Sequence, residues 1–197
     1  SKSYSGEAIV ISNDKAKGII LKGIDKNEKN MINFFDNFSS QGNLNNFDSN
    51  KVLIGSELAF NFNLKIGDTI NLMTSSFVGT PLGNMPKQEN FKVGGIFNTG
   101  FIEFDQNIIF ANIDDVLSIF DKESKDQNVE IYLEDPLKAN FYKYKIQKLN
   151  ENYFIYTWSD LNKSLFSALK VERNVMFIIL SLIIVVAAFN IISGLTI

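Results

Sequence analysis

The final stretch of the chain, Asn174 to Ile197, reads NVMFIILSLIIVVAAFNIISGLTI, and every Asp, Glu, Lys and Arg lies at or before Arg173. So apolar a run has to leave water, either into a protein core or into a bilayer. At 1.5 Å per residue, Val175 to Ile197 forms a helix of roughly 34 Å, enough to cross a hydrocarbon layer about 30 Å thick. A transmembrane helix is the expectation and a buried core helix the alternative. The C-terminal position of the run excludes a signal peptide. Orientation does not follow from these residues, because no charged loop beyond the run is available to compare.

Composition narrows the chemistry. The 197 residues include no His and no Cys, which removes zinc fingers, imidazole bases, Ser-His-Asp and Cys-His nucleophiles, haem or iron–sulfur ligation and disulfides. Nineteen Lys and Arg against 22 Asp and Glu give a net charge of −3, and the basic residues are scattered. No basic stripe for phosphates exists, so nucleic acid is not an expected partner. The chain has neither a G-x-x-x-x-G-K-[ST] loop nor a G-x-G-x-x-G, so any ATP-driven work would need another chain. It begins at Ser1 rather than Met, and is expected to be part of a longer polypeptide.

Ahead of the tail, strand-like and helix-like segments alternate in mixed order. Gly6–Ser12 and Lys17–Ile24, with Asn13-Asp14 between them, read as a β-hairpin. Lys26–Phe38 places Met31, Phe34, Phe35 and Phe38 at helical spacing, followed by a polar loop to Asn50. Lys51–Ile54 reads as a strand and Gly55–Ala59 as a short helix. Asp68, in a Gly-Asp turn before the strand Thr69–Met73, fits a turn residue better than a catalytic acid.

Thr74–Asn90 carries two of the three prolines and joins that strand to Phe91–Phe97. It is expected to form a protruding hairpin or long loop. Phe77, Val78, Leu82 and Met85 either face solvent there, as partner sites often do, or fold back onto the sheet. Further on, FIEFDQNIIFANI reads as a turn and a strand, and Asp114–Phe120 as a short helix. Glu103 and Asp105, two apart, could serve a membrane-anchored enzyme as an acid/base pair, although solvated turn carboxylates are the plainer reading. Val129–Leu133, Pro136–Leu149 and Tyr153–Trp158 read as a β-α-β unit, with Pro136 in the first helical turn. Such a unit needs a further partner to complete two layers.

From Ser159-Asp160, read as a cap, the pattern turns helical, with Leu161, Leu165, Ala168 and Leu169 on one stripe. Without Pro or Gly before Gly194, one continuous helix of roughly 57 Å is expected to run into the membrane as a rigid lever. Ala187, Asn190 and Gly194 fall on one face of it. Two small residues and an amide suit packing against another transmembrane helix, unless Asn190 simply sits near a membrane end.

Residues Trp158 to Ile197 (WSDLNKSLFSALKVERNVMFIILSLIIVVAAFNIISGLTI) resemble the second transmembrane segment of lipoprotein-releasing ABC transporter permeases, the LolC/LolE family. There a tryptophan-bearing strand leads through N-x-x-L-F-x-A-L-x-x-E into V-M-F and A-F-N-I-I-S. The resemblance extends to GIILKGID (Gly18–Asp25), IGSELAFNFNLKIGD (Ile54–Asp68), FKVGGIFNTGFIEFD (Phe91–Asp105) and TPLGNMP (Thr80–Pro86). It implies an α+β fold: a mixed-sheet periplasmic domain of the MacB-like core type, with the β-α-β unit, a β-rich subdomain bearing the protruding hairpin, and a C-terminal transmembrane helix. The implied divisions are residues 1–158 as a periplasmic domain lacking its N-terminal part, 159–174 as a connecting helix and 175–197 as the membrane helix.

The resemblance further implies a bacterial inner-membrane permease subunit that releases acylated lipoproteins and hands them to a periplasmic chaperone, driven by a cytoplasmic ATPase subunit. Its expected partners are that ATPase, a second permease subunit, the chaperone, the lipoprotein and the membrane. No cofactor, metal or catalytic residue of its own is expected. In the chaperone-recruiting member a hairpin hook makes the contact. Here that hook corresponds to Phe77, Thr80, Pro81, Leu82, Gly83, Met85, Pro86 and Gln88, while Glu89 stands where that member carries a basic residue. The chain could therefore be the recruiting member, the lipoprotein-handling member or one serving both roles. The alternative from another class is a non-transporting permease-like protein whose extracytoplasmic domain recruits or regulates a periplasmic partner.

Overall fold

A computed structural model describes residues 1–12, 14–25, 39–42, 48–81, 83–149 and 153–196, with the backbone alone at 39–40. The helix expected over Lys26–Phe38 and residues 43–47 of the polar loop lie outside the described residues. The chain divides into two compact units, Ser1–Ile131 and Tyr132–Ile197.

The first unit is built on strands β1 (Lys2–Ser12), β2 (Lys15–Ile24), β3 (Ser39–Gly42), β4 (Lys51–Gly55), β5 (Thr69–Thr80), β6 (Gly83–Asn98), β7 (Ile108–Asn112) and β8 (Asn128–Val129). The order β2-β7-β4-β6-β5-β1 closes on itself because β1 also pairs with β2, giving a barrel of six strands. The pairs β2–β7 and β4–β6 are parallel and the others antiparallel, so the sheet is mixed. Closure leaves these six strands without an open edge. β3 adds to β6 and β8 to β1. Ser39–Gly42 is therefore a strand rather than part of the expected loop, because the β6 backbone beside it offers ladder partners.

Strand alternation fills the barrel. Val10, Leu21, Val52, Ile54, Ile70, Leu72, Phe91, Val93 and Ile109 point inward and are buried. Two helices help seal the core: α1 (Ser56–Phe62) through Leu58 and Phe62, and α3 (Ile113–Ile119) through Val116 and Ile119. Each such side chain contributes about 1.5–3 kcal/mol when fully removed from water. The β4–β6 register slips between Val52↔Val93 and Leu53↔Gly95. The extra residue, Gly94, reverses the alternation on β6. Phe97 thereby turns outward into a second cluster with Ile24, Leu53 and Phe110, which Phe104 of helix α2 (Ile102–Asn107) joins.

The second unit differs from its sequence reading. Asp135 caps a tight turn at Pro136–Lys138, accepting from the Leu137 N–H at 3.1 Å, and helix α4 (Ala139–Leu149) follows. The flanking segments expected as strands of a β-α-β unit are irregular: β8 ends at Val129, and Tyr153–Tyr156 forms no strand. A strand persists only where a neighbour takes up its backbone groups: β8 follows β1 as far as Val129, and no described strand pairs with residues 131–133 or 153–156. The expected cap Ser159-Asp160 is instead a capping box that starts two residues earlier. Thr157 is the N-cap, and Asp160 accepts from its backbone N–H at 2.9 Å. The expected single lever is also broken. A short helix, α5 (Trp158–Leu161), stops at Asn162 (φ −109°, ψ 35°), and α6 then runs from Lys163 to Thr196. Its 34 residues make a rod of roughly 51 Å. The Asn162 side chain donates to the Trp158 carbonyl at 2.8 Å, competing with helical continuation as short amides do. The ring of Trp158 packs edge-on against Phe166 at 4.8 Å across the break.

Candidate functional site

The β5–β6 hairpin is where the first unit leaves its own core. From Thr69↔Lys92 to Met73↔Gln88 the strands pair regularly, and Ile70, Leu72, Thr74 and Phe91 are buried. Pairing then breaks and resumes at Phe77↔Pro86, running to Thr80↔Gly83. Beyond the break the apolar side chains face solvent, with Phe77 61%, Val78 46% and Met85 53% exposed. Of the two alternatives for this segment, the exposed hairpin is the one formed. Pro81 lies in the turn and is exposed; Leu82 lies outside the described residues. Gly83 sits at φ +118°, a conformation that glycine adopts without the penalty a Cβ would bring. The Thr80 hydroxyl donates to the Gly83 carbonyl at 2.7 Å, fastening the turn. Pro86 cannot donate a ladder hydrogen bond and blunts the projecting strand.

Gln88 lies on the paired part of β6, exposed, and its amide contacts the Met73 sulfur at 3.4 Å. Glu89, beside it, is half-buried. Burial pushes its carboxyl up from the ordinary value against the pull of Lys87, and Asp115 and Asp121 push it further. The structure thus places Phe77, Thr80, Pro81, Gly83, Met85 and Pro86 on one projecting element, with Gln88 nearer its base.

The carboxylates singled out as an acid/base pair do different work. Glu103 and Asp105 lie on helix α2, not in a solvated turn, and Asp105 is buried. Its carboxylate accepts from the Thr99 hydroxyl at 2.7 Å and from the Thr99 N–H. The Asp105 backbone lies so close to Gly55 that a Cβ there would collide with its carbonyl. Asp105 is a structural brace that holds both polar hydrogens of Thr99. Asp68 accepts from the Lys65 N–H at 2.7 Å and closes its turn, as its sequence context suggests. Among the described residues no group of acidic side chains is arranged to hold a metal ion.

In the second unit α6 has the length and apolarity to cross a membrane. Ser181 and Thr196 return their hydroxyl hydrogens to the carbonyls of Phe177 and Ile192, which removes two unsatisfied donors from an apolar surface. Asn190 makes no such bond to a described residue. With Ala187 and Gly194 it lies on a face of α6 that no described residue covers.

No family model matches the chain. Curated relatives do. The lipoprotein-releasing system transmembrane protein LolC of Xylella fastidiosa is 28% identical over 97% of this chain and 47% of its own length. LolC of Buchnera aphidicola from Schizaphis graminum is 33% identical over 87% of this chain and 42% of its own. LolE of Haemophilus influenzae is 26% identical over 99% and 47%. The chain thus spans less than half the length of these relatives. A crystal structure of a domain assigned as a permease, from Porphyromonas gingivalis, matches at 14% identity with a TM-score of 0.38, over 77% of this chain and 69% of that one. That likeness is too loose to bear on the fold. Identities of 26% to 33% over 87% to 99% of its length make this chain a member of the LolC/LolE family of lipoprotein-releasing transmembrane permeases.

Proposed function

We propose that this chain is the partner-contacting part of a permease subunit that releases lipoproteins from the bacterial inner membrane. The barrel stands in the periplasm and α6 lies in the bilayer. ATP is hydrolysed by a separate subunit, and released lipoprotein passes to a periplasmic chaperone. The observation that carries this reading is the hairpin: a folded barrel extends two strands beyond its core and spends Phe77, Val78 and Met85 on solvent. Exposed apolar side chains on a rigid projection cost solubility and are compensated when a partner covers them. The names of the relatives supply the lipoprotein and the transmembrane setting. The uncovered face of Ala187, Asn190 and Gly194 supports a second transmembrane helix as the neighbour of α6, where a small-residue surface permits close approach and an amide can find a partner.

The test is photo-crosslinking in spheroplasts from a probe at Met85 in the full-length protein. The expected result is an adduct with the periplasmic chaperone. An adduct with lipoprotein alone would replace the recruiting role by cargo handling, and the half-buried Glu89, where a recruiting member carries a basic residue, favours that second reading. No adduct from a folded, ATPase-coupled protein would overturn both in favour of a non-transporting permease-like role.

A further inference from the structure

At the break in the β5–β6 ladder, Thr74, Ser75 and Ser76 stand opposite the single residue Lys87. Two extra residues on one strand bend a hairpin and leave its direction to be fixed by other contacts. Both strands make those contacts at one place, the C-terminal end of α3. Thr74 is buried, and its hydroxyl donates to the Ile119 carbonyl at 3.0 Å. The Lys87 ammonium donates to the Ser118 carbonyl at 2.6 Å and to Asp121 Oδ1 at 2.8 Å. The last carbonyls of a helix have no partner further along it, so a lysine delivered from a strand finds acceptors ready.

Asp121 shows what is given up for this contact. The Lys122 N–H reaches the Leu117 carbonyl at 2.8 Å and the Asp121 N–H the Ser118 carbonyl at 3.1 Å, the two bonds of a Schellman ending. The residue at the turning position of that ending must be left-handed, and glycine is the usual occupant. Here it is Asp121 at φ 52°. Glycine would suit the backbone better, but it would leave Lys87 without the carboxylate at 2.8 Å and with only that of Glu89, at 4.0 Å.

We propose that Lys87 and Asp121 are positioning residues that set the direction in which the hairpin projects, by locking its root to the end of α3. This rests on the hairpin's being a docking element. Its test separates the two ideas. In the full-length protein, spin labels at Asn84→Cys on the hairpin and Glu7→Cys on β1, both exposed, report the distribution of distances between them. The native pair gives one narrow distribution. Lys87→Met and Asp121→Gly each broaden it, while Lys87→Arg, which keeps the charge and donors, keeps it narrow. Asp121→Gly relieves the left-handed backbone, so its melting temperature holds or rises while the hairpin loses its aim, an outcome that a purely stabilising role does not produce. Distributions as narrow as the native one in both Lys87→Met and Asp121→Gly would overturn the proposal. The adduct at Met85 is expected to fall several-fold in step with the broadening. An unchanged adduct alongside a broadened distribution would leave the lock standing and overturn the hairpin's role in docking.

Discussion

In Ser1–Ile131, Leu72 and Phe91 are shut inside a closed barrel, whereas in Tyr132–Ile197 comparably apolar residues such as Ile183 and Phe189 stay well exposed on α6. Among the described residues of the second unit only Thr157 is buried. The same side-chain chemistry is thus matched to two different surroundings. The barrel makes its own apolar interior by strand alternation; α6 is an apolar cylinder long enough to cross a bilayer and satisfies its backbone within itself. The hairpin belongs to the first unit by connectivity and resembles the second by exposure, which is why it reads as a contact element.

The sharpest way to break this contrast is a pair of truncations. Phe91→Ala empties part of the barrel core and is expected to cost about 3–5 kcal/mol, whereas Ile179→Ala on α6 removes no internal contact and leaves the barrel's unfolding transition in place. Urea unfolding followed by barrel tryptophan-free probes, such as amide circular dichroism, distinguishes the two; equal losses would show that α6 is buried by protein. A smaller loss tests the brace. Asp105→Asn keeps the shape but removes the charge that accepts from Thr99, with an expected cost of about 1.5–3 kcal/mol read from the same urea midpoint.

The smallest effect lies in the second unit. The Lys143 ammonium, donating to Asp160 at 2.7 Å, and the Thr157 N–H and hydroxyl hold the Asp160 carboxyl well below the usual carboxylate range. Because the folded value lies below the unfolded one of about 3.9, the stabilisation is fully present above that pH and is lost as pH falls through the folded value. Amide hydrogen exchange at Thr157 and Asp160 is expected to speed up only in strong acid. Asp160→Asn should abolish that pH dependence and, the pair being open to solvent, change neutral stability little.

Much of the first unit was legible. Lys51–Ile54, Thr69–Met73 and Phe91–Phe97 announced themselves by β-branched and aromatic runs, and Gly-Asp at 67–68 by turn chemistry. The hairpin residues were legible as a projecting segment because prolines and glycines interrupt an apolar pattern. The lock at its root was not: Lys87, Asp121 and Thr74 are far apart in sequence, and no local pattern links them. Asp105 was misread for a similar reason. Its burial depends on α2 closing over Gly55 and Thr99, and a carboxylate two residues from another looks solvated until that packing is known. Tyr153–Trp158 was overread as a strand, since β propensity says nothing about whether a neighbouring strand exists.

By itself the sequence determined the long apolar helix, the absence of imidazole and thiol chemistry, and the mixed α+β character, because hydrophobicity, composition and short-range periodicity are properties of single segments. Only the tertiary structure decided that six strands close into a barrel, that Gly94 turns Phe97 outward, that the lever breaks at Asn162 and that Lys87 meets Asp121. Each of these depends on which distant backbone or side chain supplies a missing partner, and that choice is made by packing rather than by local preference.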